Sequence, residues 1–342
     1  VTSRLRLGLL GVAHYHAGFW LQAWARHPHA GIVGIWDADA ARADALAAQH
    51  GVVAYRDMAA LLGASDAVGI CSETADHPAL IEAACAAGRG ILCEKPVAAE
   101  EAGLRRVEAA IAASGVRFAQ SFPKRTDPVN GELRRLLTEG AIGRPFLARI
   151  RHGHGHGADA AFTGGWWADP ARAGGGTLLD EGVHATDLLR WLFGDPAEAA
   201  ALLGAATPGL AVEDVALAAF RWPDGLLAEV ATAWRFVAAE ASVEIYGTDG
   251  TILVSRVDLA SRDAEAAPLR LARRDAGARF VALPVPSAFP TGWFHQRSAE
   301  AFVDAMRDGA PFAAGLAEAA GAVRLVFAAY RAAREGRTVR LG

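Results

Sequence analysis

Two stretches of this chain hold ionisable side chains at spacings that chemistry can use. In LCEKPV, residues 92 to 97, Lys95 follows Glu94 directly after an apolar run. Ligands in open α/β sheets gather outside the carboxyl ends of strands, so a lysine there stands at the mouth of a cleft. Pro96 disfavours helical geometry at Lys95 and holds it extended. The alternative is a surface Lys–Glu pair on a loop, which contributes little. In GGGTLLDEGVHATDLLRWLFG, residues 174 to 194, Asp180 and His184 are four apart and share a helix face. Asp187 continues that face, with Leu188, Leu189, Trp191 and Leu192 packing around it. Thr177 and Asp180 also have the spacing of a capping box, which would give Asp180 a structural role alone. That alternative leaves His184 unexplained. The glycines at 174–176 allow another backbone or a ligand to come close.

A third stretch, LRLGLLGVAHYHAGFW at residues 5 to 20, ends a strand-like run where a dinucleotide fingerprint would read G-x-G-x-x-G. Its three positions are Gly11, Ala13 and His16. Gly11 keeps the tight turn, and Ala13 adds one methyl, tolerable where the backbone angles stay ordinary. His16 is the larger departure. Asp37 follows the apolar run IVGIW, where a carboxylate can accept from both adenosine ribose hydroxyls and repel a 2′-phosphate. Residue 38 is Ala rather than Arg, so NAD is favoured over NADP. The alternative role for Asp37 is to cap a helix beginning near Asp39. In RHGHGHG, residues 151 to 157, His152, His154 and His156 would project from one strand face. Three imidazoles can hold zinc, but alternating glycines fix no geometry, so no metal is assigned.

The elements that must position these residues change character along the chain. Strand-like runs at Leu5–Leu10, Ile32–Trp36, Val52–Tyr55, Ala67–Cys71, Gly90–Cys93 and Val116–Ser121 alternate with helical stretches at Asp39–His50, Pro78–Ala87 and Glu100–Ala113. Such alternation predicts an α/β domain, a doubly wound parallel sheet over residues 1–122. Over 123–342 the pattern predicts an α+β domain with a mostly antiparallel sheet. A short helix at Gly131–Glu139 leads to the period-two run RPFLARIRHGHGHG, and a longer helix covers Thr177–Phe193. Hairpins are expected where Pro223-Asp224-Gly225 joins VALAAFRW to LLAEVATAW and where Asp249-Gly250 joins ASVEIYG to TILVSR. Helices at Ser298–Arg307 and Leu316–Glu335 close the chain.

Composition excludes several classes. With 34 basic and 38 acidic residues among 342, the chain lacks the basic surplus of a nucleic-acid binder. No apolar run approaches the ~20 residues that span a bilayer, so no membrane association is expected. The first residues enter a strand with no signal-peptide pattern, and Cys71, Cys85 and Cys93 are too few and scattered for a disulfide framework. A cytoplasmic location and buried thiols are the expectation.

Taken together, the modified fingerprint, CEKP, GGGTLLDEGVH, YGTDGTI and the ending AAYRAAREGRTVRL resemble the Gfo/Idh/MocA oxidoreductase family along the whole chain. The resemblance implies a Rossmann domain followed by an α+β domain whose open sheet commonly builds oligomers, here a homodimer or homotetramer. It implies that Lys95 is catalytic, that His184 transfers the proton and that Asp180 binds substrate hydroxyls. Gly11, Ala13, His14, Asp37, Ser72, Thr74, His77, Glu94 and Lys95 would then line the cofactor. SETADH, residues 72 to 77, resembles the loop that passes along it, with Thr74 near a position often filled by Asn. His14 either faces the nicotinamide or substrate or packs the loop, and His77 is either structural or functional. His152, His154, Trp166 and Trp167 would line a cleft for a sugar, inositol or related polyol, whose hydroxyls suit imidazoles beside aromatic faces. Hydride transfer to or from such a substrate is the expected activity. Two alternatives stay open, a redox-assisted glycoside cleavage with bound NAD and a non-catalytic dinucleotide-binding regulator. The joint presence of Lys95, Asp180 and His184 counts against the regulator.

Overall fold

The computed structural model describes residues 4–237, 241–255, 267–286 and 293–341. The chain divides into two compact units, residues 1–123 with 294–320 and residues 124–293 with 321–342.

In the first unit, β1 (Leu5–Leu10), β2 (Ala30–Trp36), β3 (Ala67–Ile70), β4 (Gly90–Cys93) and β5 (Phe118–Gln120) form one sheet in the order β2-β1-β3-β4-β5. Every pairing in it is parallel. Parallel neighbours need crossovers, supplied by α1 (His16–Arg26), α2 (Ala40–His50), α3 (Met58–Ala64), α4 (His77–Ala86) and α5 (Glu101–Ser114). Their ends follow local chemistry. Asp39 caps α2 by accepting from the Ala41 and Arg42 amides, and Gly51 ends it at φ 65°. The strand expected at Val52–Tyr55 does not form; the segment makes a single parallel bridge, Ile35 to Ala54. Between the left-handed Gly51 and the α3 cap Asp57 there is room for little more than one rung.

The second unit opens with α6 (Pro128–Thr138) and β6 (Pro145–Arg151), followed by the short helices α7 (Ala160–Thr163), α8 (Pro170–Ala173) and α9 (Thr177–Asp180), then α10 (Gly182–Phe193). Strands β7 (Glu198–Gly204), β8 (Val215–Arg221), β9 (Leu227–Ala233), β10 (Ala241–Gly247), β11 (Gly250–Ser255), β12 (Leu269–Arg273) and β13 (Val281–Ala282) come next. With β14 (Val339–Arg340) they form a nine-stranded sheet ordered β13-β12-β11-β10-β6-β9-β8-β7-β14. Only the β6–β9 pair is parallel among the described strands. Both expected hairpins form, although Arg256, the last residue of TILVSR, lies outside the described residues. In β8, Ala216, Ala218 and Phe220 are buried while Leu217, Ala219 and Arg221 face outward. The α10 helix packs against β9 and buries Val183, Leu188 and Leu189.

Two expectations are corrected here. The helix predicted over Thr177–Phe193 is two helices, broken at Glu181. The capping box is not made: Thr177 Oγ1 lies 2.9 Å from Thr232 Oγ1, and the amides of Gly176 and Leu178 donate to the Glu213 carboxylate at 3.1 and 3.0 Å. The compact units are not continuous in sequence. Helix α11 (Trp293–Asp308) belongs to the first unit, where Ala299, Phe302 and Val303 share a core with Trp20 and Trp24. The Trp24 indole donates to Ala299 O at 3.2 Å. Helix α12 (Leu316–Glu335) leads into β14.

Candidate active site

In the first unit the candidate residues gather at the carboxyl ends of β1 to β4, where an open α/β sheet binds its ligand. Gly11 has φ 69°, and a Cβ on it would lie 2.4 Å from Ser72 Cβ, so the turn at the end of β1 admits glycine alone. Ala13 needs no such freedom, since Ala278 is the one described non-glycine residue with positive φ. His14 packs the loop: its amide donates to Cys71 O at 2.9 Å and its Nδ1 accepts from the His16 amide at 3.2 Å. Ser72 and Thr74 are buried, and Thr74 begins a short 3₁₀ turn into α4. His77 bridges two strand-end loops, with Nδ1 2.7 Å from Pro96 O and Nε2 3.3 Å from Ser72 O. Burial pushes its pKa down, against the opposing pull of the Pro96 carbonyl and Glu94.

Lys95 is 3% exposed, which removes the surface-pair alternative. Its amide donates to Glu94 Oε1 at 3.0 Å. Burial pushes the Glu94 carboxyl up, against the opposing pull of His14 and Lys95. Glu94 Oε2 lies 3.2 Å from His16 Nδ1, and the His16 ring centroid lies 3.8 Å from that of His295 on α11. His16, the departure from the fingerprint, thus helps to seat Glu94. Asp37 is more committed than its position suggested. Its Oδ2 accepts from the Val12 amide at 2.6 Å and its Oδ1 from the Asp39 amide at 2.7 Å. Arg42, one helical turn into α2, reaches Asp37 at 3.2 Å and Glu73 at 2.9 Å. The helix cap itself is Asp39, not Asp37. A strand, a positive-φ glycine, a helix start and a carboxylate closing the second strand are the parts that a dinucleotide requires, and these residues fit NAD.

The second unit holds the other set. Asp180 closes α9 and accepts from the Trp234 indole at 3.0 Å. His184 lies on the first turn of α10, 5% exposed, with its amide donating to Glu181 O. Glu181, in the break between them, is 3% exposed. The expected histidine strand ends early, since β6 stops at Arg151. His152 and His154 nevertheless continue its pairing, donating to Ala231 O and Ala233 O at 3.1 Å each. His152 Nε2 lies 3.0 Å from Glu181 Oε2, and its ring stands edge-on to His184 at 5.1 Å. His154 Nε2 lies 3.7 Å from Asp180 Oδ2 and 3.9 Å from Glu181 Oε1. His156 begins a 3₁₀ turn, with its ring tilted against that of His154 at 4.5 Å. Trp166 and Trp167 stack at 4.6 Å, and Trp167 continues through Phe162 to Trp234, a wall of aromatic faces beside the carboxylates.

Sequence reasoning missed Glu181, Trp234, Phe162, His295 and Arg42. It also missed the buried pair in which Arg125 clasps Asp187 at 2.8 to 3.1 Å. Only the EGVH spacing of Glu181 to His184 was visible beforehand. The three cysteines are buried free thiols, as expected, and burial pushes those of Cys71 and Cys93 well up. No described helix is long and apolar enough to cross a membrane.

Fold and site residues together define a two-unit dinucleotide-dependent oxidoreductase. Residues 5–122 match the oxidoreductase family, NAD-binding Rossmann fold, and residues 131–253 match the GFO/IDH/MocA C-terminal domain. The chain is 31% identical to the D-apiose dehydrogenase of Paraburkholderia graminis, over 99% of this chain and 90% of that one. It is 30% identical to the 1,5-anhydro-D-fructose reductase of Ensifer adhaerens, over 72% and 75% of the two chains. Its fold is also that of a levoglucosan dehydrogenase solved with NADH and levoglucosan, with a TM-score of 0.85 at 22% identity over 99% of each chain. The chain belongs to the Gfo/Idh/MocA oxidoreductase family.

Proposed function

We propose that this oxidoreductase transfers a hydride between NAD and a sugar, inositol or related polyol derivative. One observation carries the reading: Asp180, His184, His152 and His154 cluster around Glu181, with the Trp234 indole donating to Asp180 and Phe162 linking His154 to the stacked Trp167 and Trp166. Imidazoles and a carboxylate beside aromatic faces suit a substrate with many hydroxyls and apolar ring faces. The names of the relatives, an apiose dehydrogenase and an anhydrofructose reductase, support the same class. NAD supplies the hydride acceptor in the oxidation direction. His184 takes the hydroxyl proton. Asp180, fixed by the Trp234 indole, accepts from a substrate hydroxyl and orients it. The Lys95 ammonium, held in a buried position, stabilises the alkoxide as it develops. The preference for NAD over NADP rests on the Asp37 carboxylate.

A panel of sugars, inositols and sugar acids, read by absorbance of the reduced nicotinamide, identifies the substrate. Lys95→Met and His184→Ala should each lower turnover at least ~100-fold while NAD affinity stays within a few-fold. Near-normal turnover in either variant would sink the mechanism. An aglycone released without net NADH would assign the chain to redox-assisted glycoside cleavage instead.

A further inference from the structure

We propose that His152, Glu181 and His184 form a binding site for a divalent transition-metal ion of the zinc class, and that the bound ion switches turnover off. One nitrogen or oxygen from each of the three lies within 4.8 Å of the others. Zinc bonds of about 2.0–2.2 Å to nitrogen and oxygen set tetrahedral ligand edges near 3.3 Å. The His152–Glu181 edge, at 3.0 Å, is already that short. Two imidazoles and one carboxylate select a borderline ion over magnesium or calcium, which prefer oxygen throughout.

The scaffold is fixed. The His152 amide is tied to β9 through Ala231 O, the Glu181 amide to Thr177 O, and the His184 amide to Glu181 O. All three side chains are at least nine-tenths buried, so little rearrangement in solvent precedes binding. His154 Nε2 lies 3.9 Å from Glu181 Oε1, beside the ligating carboxylate but beyond hydrogen-bonding distance. Asp180 and His154 form a second possible group with the same Glu181, so the two groups describe one site. Three protein ligands leave the fourth position open to water or a substrate hydroxyl. Neither His152 nor Glu181 is a named position of the D-x-G-x-H spacing that Asp180, Gly182 and His184 make.

The switch rests on the proton-transfer role of His184 proposed above. A metal-bound imidazole nitrogen has its lone pair in the bond and cannot accept the hydroxyl proton. An ion at this site therefore removes the base.

The test uses the full-length protein freed of metal by a chelator that is then removed. Titration with Co²⁺ should produce the visible absorption of a four- or five-coordinate ion, discharged by equimolar Zn²⁺. His152→Ala and Glu181→Gln should each weaken Zn²⁺ binding at least ~10-fold by calorimetry, a loss that even an outer-shell partner can cause. Glu94→Gln, in the separate His14–His16–Glu94 group of the first unit, should bind Zn²⁺ as the parent does. No Co²⁺ band, unchanged affinity in both second-unit variants, or loss in Glu94→Gln alone would overturn the site. With a substrate in hand, stoichiometric Zn²⁺ should lower turnover at least ~10-fold and a chelator should restore it. An unaffected rate at saturation would overturn the switch. Failure of every substrate in the panel, with the Co²⁺ band present, would defeat the dehydrogenase reading and leave the site standing.

Discussion

Asp37 shows how one carboxylate can serve two masters. It holds the Val12 amide of the cofactor turn and the first amide before α2, while Arg42 sits on it at 3.2 Å. The basic residue beside Asp37 is Arg42, which a helical turn brings back to the strand end. Asp37→Ser should weaken NAD and narrow its advantage over NADP, since the substitution removes a like charge from a 2′-phosphate and releases Arg42 towards it. Calorimetric titration of both cofactors decides the matter. Parallel losses would mean that Asp37 organises the loop and selects nothing. Lys95, Asp180 and His184 were legible because strand ends and four-residue spacings are local facts. Glu181 was passed over because a lone glutamate between two motif residues gives no sign of burial. Its partners His152 and His154 lie about thirty residues earlier and reach it only through the β6–β9 pairing.

At the scale of elements, the sequence reads the parallel sheet closely, since β1 and β4 coincide with the expected runs and the others differ by a few residues. The break in the helix after Thr177 was not legible. Its apolar period runs on without interruption, and what reshapes its start is a tertiary partner. Glu213 receives the Gly176 and Leu178 amides, and Tyr330 of α12 donates to the same carboxylate at 2.7 Å. Burial pushes the Glu213 carboxyl up and the Tyr330 hydroxyl well up. The glycines admit these partners, as expected of them, but the approaching backbone is the protein's own. A Cβ at Gly176 would lie 1.8 Å from Glu213 O, and one at Gly175 would lie 2.3 Å from the Tyr330 oxygen. Gly176→Ala should therefore cost about 1–3 kcal/mol, the range for overpacking a tight site, read as a lowered thermal midpoint. A midpoint equal to the parent's would show that the loop yields freely.

For the whole molecule, the outward face of the second-unit sheet bears on assembly. Leu202 and Leu217 stand directly opposite one another and are 74% and 48% exposed, and Leu227 adds to the apolar surface. Arg149 reaches Glu229 and Glu244 at 3.4 Å each, so the same sheet also carries charge. Such a face fits the homodimer or homotetramer expected from the family resemblance, whose interface should be large and apolar. Light scattering at micromolar concentration should show a multiple of the 35.7 kDa chain, and Leu217→Glu should reduce it. A parent protein that scatters as a monomer would refute the assembly.

The return of α11 to the first unit governs how the protein is made. Ala299, Phe302 and Val303 complete the core that holds Trp20 and Trp24, yet residues 124–293 must be synthesised before them. At roughly 5–20 residues per second, a ribosome takes on the order of ten to thirty seconds to cross that interval. Through that time the nucleotide-binding unit has all five strands and an unfinished core. Until α11 has been synthesised, the apolar side chains that Ala299, Phe302 and Val303 cover in the folded unit lack that cover.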